Sequence, residues 1–154
     1  MKRAIVCVAT VLLAYAGTAG GGDSKKDLEQ MQGIWLVDSF LDSDPKGGIP
    51  PEIVKDFQAV FQSDKLTVLL KDKDKIKDKE VMSLKFTLDP SKSPKAADFT
   101  YLDGPEKGKT ELAIYKFEGD KLVMAINDPG LPRPTAFATK DGTKISVITL
   151  KRKK

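Results

Sequence analysis

The chain contains no histidine among its 154 residues. That absence removes Ser-His-Asp and Cys-His nucleophilic catalysis, imidazole zinc sites and any histidine-based pH switch. Cysteine is nearly as scarce: Cys7 is the only one, so no disulfide can form within the chain. A glycine-rich phosphate loop opening a helix is also missing. The nearest stretch, Asp103-Gly104-Pro105 followed by Gly108-Lys109, lies between strand patterns and reads as a turn. Asp72-Lys73-Asp74 starts like a calcium loop, but Lys77 stands where glycine is needed and Ser83 where the bidentate glutamate belongs, which rejects an EF-hand. Charge of one sign is lacking too. Lysine and arginine total 26 against 22 acids, and Lys151-Arg152-Lys153-Lys154 is the only purely basic cluster. No aromatic residue interleaves it, so nucleic-acid binding is not expected. Carboxylates remain plentiful, yet acid/base catalysis needs two in one cleft with separated pKa values, and no pair stands out. The expectation is a non-enzymatic protein with no cofactor and no metal site.

Long apolar runs are absent except at the start. Lys2 and Arg3 precede an apolar run from Ala4 to Ala16, broken only by Thr10, and small residues follow. As a helix the run would span roughly 20 Å, short of the ~30 Å hydrocarbon core. Residues 1–19 are therefore expected to be a signal peptide, cleaved after Ala16 or Ala19, leaving no stable membrane anchor. Cys7 sits too early in the run to be a lipidation point. Loss of the leader lowers the formal charge from +4 to +2. The expected destination is the bacterial periplasm or the extracellular space. Residues 20–27, opening on Gly20-Gly21-Gly22, are expected to be a flexible lead-in, with a short helical stretch over Lys25–Gln32 where the domain, 28–152, begins.

Beyond that point strand signals dominate. Met82, Leu84, Phe86 and Leu88 alternate with Ser83, Lys85 and Thr87, a period of two that a helix would scatter. Further strands are expected at 34–40, 57–62, 66–70, 97–102, 110–117, 121–126, 134–139 and 144–150. Their separators, such as Asp89-Pro90, Glu118-Gly119-Asp120 and Asp141-Gly142, are turn formers. Pro50-Pro51-Glu52 opens at most two helical turns near 51–56. The alternating lysines and acids of 71–80 suit a solvated hairpin tip. Nine short candidates, with no long helix between them, predict an all-β antiparallel sandwich or barrel. With one candidate irregular, about eight strands remain, a number whose barrel either fills with side chains or holds one small ligand. Leu122-Val123-Met124-Ala125-Ile126 and the strand at 145–150 lack alternation, as when a segment covers the outer wall of a barrel.

Gly33-Ile34-Trp35 in the first strand resembles the Gly-x-Trp signature of lipocalins, whose last strand often brings a basic residue across the tryptophan; Lys151 or Arg152 could serve here. A fuller resemblance, from Leu28 to Arg152, is to an uncharacterised family of small exported domains known mainly from planctomycete bacteria. It rests on Leu28 to Val37, Phe86 to Lys95, Asp98-Phe99-Thr100, Asp103 to Thr110, Ile114 to Asp120 and Pro129 to Phe137. The chain departs from the family in lacking cysteine at 121–126 and in its longer charged segment at 71–80. The resemblance implies export and a lipocalin-like (calycin-type) barrel, and it carries over no reaction.

Two roles follow. One is a binding module whose barrel holds a small apolar or amphipathic ligand among Trp35, Phe61, Met82, Leu84 and Phe86, with Asp103, Lys109 and Arg133 as polar candidates at the mouth. Arg133, held between Pro132 and Pro134, would either anchor a ligand anion there or clamp Asp103 or another loop carboxylate. The other role is a filled barrel acting on an envelope protein as a structural or interaction domain.

Overall fold

A computed structural model describes residues 21–43, 49–75 and 77–154. The expected signal peptide, its Cys7 and both cleavage points lie outside the described residues. The chain forms helix α1 (Gly21–Met31), strand β1 (Gly33–Asp42), helix α2 (Pro51–Val54), and strands β2 (Phe57–Gln62), β3 (Lys65–Leu70) and β4 (Lys79–Asp89). Strands β5 (Lys95–Tyr101), β6 (Thr110–Glu118), β7 (Lys121–Ile126) and β8 (Ser146–Arg152) complete it. Each strand pairs antiparallel with the next, and β8 returns to β1, giving a closed eight-stranded barrel. Closure leaves no sheet edge to be protected. The all-β, lipocalin-like architecture expected from the sequence is thus the one found.

Strand directions give the barrel two different ends. The turns β2–β3, β4–β5 and β6–β7 gather at one end with α1; the connections β1–β2, β3–β4, β5–β6 and β7–β8 gather at the other. The α1 end is sealed. Leu28 and Met31, one turn apart, pack onto the core. Asp27, 4% exposed, accepts hydrogen bonds from Lys95 Nζ and the Tyr115 hydroxyl, both at 2.7 Å. Residues 21–27 are therefore not the flexible lead-in expected from their glycines: they are the first turns of α1, fixed where Asp27 meets β5 and β6. Gln32 bonds the β2–β3 turn through the Ser63 carbonyl (3.0 Å) and amide (2.6 Å).

Gly33 and Trp35 have physical reasons to be there. Trp35, 1% exposed, donates its indole N–H to the Met31 carbonyl at 2.8 Å. Arg152, and not Lys151, lies over its ring at 4.3 Å from the centroid. The same guanidinium bonds the carbonyls of Gln30 (2.6 Å) and Gln32 (2.7 Å), meeting the negative end of α1. Gly33 has φ +112°, and a Cβ there would come within 3.0 Å of Arg152 Nη1. Glycine satisfies both the backbone angle and the close approach.

The ninth strand candidate, 134–139, is irregular. Pro132 and Pro134 cannot donate ladder hydrogen bonds, and β8 already closes the barrel. This β7–β8 connection instead covers the outer wall, where Phe137 and Ile145 pack against Ile114, Val123, Ala125 and Val147. That cover explains why β7 and β8 lack alternation. The 71–80 segment joins β3 to β4 and its described residues are mostly exposed, with local pairs such as Lys75 to Asp72 at 3.2 Å.

Candidate functional site

The barrel interior divides into a packed half and a hollow half. In the packed half, next to α1, Phe61 meets Phe86 edge-on at 5.4 Å and Phe86 meets Phe99 at 6.0 Å. Trp35, Tyr115 and Leu122 complete this filling, all essentially buried. The hollow half is a cavity of about 300 Å³ opening toward the other end. Its walls come from alternate positions on facing strands: Val37 on β1, Val68 on β3, Met82 and Leu84 on β4, Met124 on β7 and Ile148 on β8. Ile49 and Val54, before and within α2, close over part of the mouth. A one-residue bulge in β4 opposite Val68 and Leu69 leaves Val81 outside the pairing, and Val81 also lines the cavity.

The sequence-derived ligand set therefore splits. Met82 and Leu84 line the cavity, whereas Trp35, Phe61 and Phe86 lie in the packed half and do not line it. Large aromatic rings fill the barrel where α1 plugs it, and space remains toward the end that α2 covers only in part.

The polar candidates do not line the cavity either. Asp103 and Lys109 are exposed in the β5–β6 loop at the open end, with Lys109 paired to Glu106 at 2.8 Å. Arg133 is on the outer wall. Its guanidinium donates to the carbonyls of Ala97 (2.8 Å) and Ala113 (2.7 Å) and to the Asp98 carboxylate at 2.6 Å. It is a clamp holding the covering segment to β5 and β6, and its partner is a strand carboxylate instead of Asp103. Asn127 steadies the same segment by donating to the Pro132 carbonyl at 2.7 Å.

The polar residues that line the cavity are Gln58, Tyr101, Glu111, Asp128 and Ser146. The Gln58 amide is engaged by Asp78 and Lys153, whereas Tyr101, Glu111 and Asp128 are neighbours of one another. Glu111 pairs opposite Phe99 and is in phase with Ala113 and Tyr115, so its carboxyl points inward. The Tyr101 hydroxyl donates to Glu111 Oε1. Burial raises the Glu111 carboxyl above its ordinary pKa, and the nearby Asp128 and Glu106 charges push the same way; the Tyr101 hydrogen bond opposes them. Burial, then the bond to Glu111, raises the Tyr101 phenol as well. The signal for Glu111 was present in the sequence: within 110–117 it shares the parity of Ala113 and Tyr115, an acid on an otherwise inward face.

Among the described residues, no group of three or more acids or thiols is placed to hold a metal ion. No described helix is long and apolar enough to cross a membrane. No family model matches the chain, and no curated protein matches it with significance.

Proposed function

We propose that this protein is an exported, non-enzymatic binding module whose lipocalin-like barrel holds one small apolar or amphipathic ligand. The observation that carries the proposal is the cavity of about 300 Å³ in the open half, lined mostly by aliphatic and aromatic side chains such as Val68, Met82, Leu84, Phe99 and Ile148. That volume is at the lower end of the ~300–1,000 Å³ typical of small-molecule sites, so the ligand is small. An apolar cavity of this kind gains little from water, which needs polar partners. Burying hydrocarbon there contributes ~25 cal/mol per Å² of apolar surface removed from water. Export is proposed from the charged start, short apolar run and small residues of 1–19. Membership of the planctomycete family of exported domains is proposed on the ordered motifs from Leu28 to Phe137.

The test is displacement of the neutral fluorophore prodan from the purified protein, with native mass spectrometry of protein taken from its own host. Saturable prodan binding, competed by small lipophiles, is expected. Absence of both a bound molecule and any prodan binding would remove the proposal. A second reading, the envelope-interaction domain, has one observation in its favour: Leu41, Ile49, Ile53 and Val81 are exposed around the open end. Cross-linking in the cell envelope distinguishes it, because a ligand carrier of this design needs no reproducible protein partner.

A further inference from the structure

The cavity has a chemical sign. No lysine or arginine lines it among the described residues, while its polar end presents the inward-facing Glu111, the Tyr101 hydroxyl and, at the lip, Asp128. No basic side chain among the described residues forms an ion pair with Glu111; its hydrogen-bond partner is Tyr101, and its charged neighbours are Asp128 and Glu106. Lys109, in the β5–β6 loop, is engaged by Glu106 at 2.8 Å. An inward carboxylate without a countercharge is unfavourable, and an incoming cation would relieve it.

We propose that the site selects a cationic amphiphile: a primary or secondary ammonium bound by Glu111, with its hydrocarbon part among Val68, Met82, Leu84 and Ile148. The ammonium donates to the Glu111 carboxylate and to the lone pairs of the Tyr101 oxygen, with Asp128 supplying longer-range attraction at the entrance. A fatty acid of the same length would place its carboxylate against Glu111 and Asp128 and is disfavoured by like charge. An alcohol would fill the same walls without the ionic contact. This selection rests on the binding-module reading above and adds the charge of the ligand's head.

The experiment is calorimetric titration of the purified protein at neutral pH with octylamine, octanol and octanoate, which share one chain length. Octylamine is expected to bind at least about tenfold more tightly than octanol, the size of one charge-assisted hydrogen bond, with octanoate weakest. Glu111→Gln, nearly isosteric, is expected to bring the octylamine-to-octanol ratio close to one. Tyr101→Phe, a second variant that keeps the ring in place, is expected to lower that ratio partway. Octanol or octanoate binding as tightly as octylamine would overturn the charge selection and leave the binding-module reading standing. No binding of any octyl compound, together with no prodan binding, would overturn both.

Discussion

Enlarging two cavity-lining valines by one methylene each gives opposite results in a hollow and in a filled barrel. Val37 on β1 and Val68 on β3 both line the cavity, and isoleucine preserves their branching and strand preference. In a hollow interior each added methylene leaves water for an apolar wall, a gain of up to ~0.8 kcal/mol apiece, or ~1.6 kcal/mol for Val37→Ile with Val68→Ile. Both residues are only partly buried, so the ~1.6 kcal/mol is an upper bound. For a domain of this size the shift is a rise in melting temperature of roughly 3–6 °C. In a filled interior the same methylenes force side chains off their rotamers and cost about 1–3 kcal/mol. The assay is thermal and urea unfolding of the ligand-free double variant, followed by prodan titration. A higher melting temperature with weakened prodan binding is expected. A lower melting temperature in a protein that binds prodan as before would refute the cavity argument.

Three further outcomes follow from other contacts. Arg133→Ala removes two backbone hydrogen bonds and the contact to Asp98, and it should lower stability by about 2 kcal/mol in urea unfolding while leaving ligand affinity unchanged. Reduced affinity at unchanged stability would return Arg133 to the binding site. Arg152→Lys loses both the stack on Trp35 and the paired bonds to α1, so about 1–2 kcal/mol of stability should go, with faster hydrogen exchange at the α1 end; a neutral result would remove its role as the seal. Glu111 holds its proton more tightly folded than unfolded, so its share of stability is present below its unfolded pKa and is lost as pH rises through the raised folded value. Glu111→Gln should therefore be the more stable protein at neutral pH and lose that advantage in acid, read as paired melting curves; a less stable variant at neutral pH would contradict the burial of this carboxyl.

Much of the barrel was legible because period-two alternation and turn residues report strand identity locally. β4 shows this most clearly, with Met82, Leu84 and Phe86 all turned inward. The Gly-x-Trp pair led to a basic residue on the last strand, and Arg152 rather than its neighbour reaches Trp35, since the register sets Arg152 opposite Trp35 while Lys151 turns to the other face and meets Asp38. Three things were not legible. Which half of the barrel is hollow depends on how aromatic and aliphatic residues from different strands are level with one another, and this comes from register and stagger across the sheet. The flanking prolines of Arg133 suit either an anion anchor at the mouth or a clamp to a loop carboxylate, but its segment turns down the outer wall, a long-range path set by burial of Ile114, Val123 and Val147, and the clamp is to Asp98 on β5. Residues 21–27 misled for the same reason. Three glycines suggested freedom, and Asp27 is held by partners 68 and 88 positions away in the chain.

The most direct test of the central claim is a two-dimensional NMR titration with octylamine and, separately, octanol. Binding in the hollow half predicts saturable shifts at the Val68, Leu84, Tyr101, Glu111 and Ile148 amides, with the α1 end and the outer wall near Arg133 left in place. Shifts spread over the outer surface, or none that saturate, would contradict it.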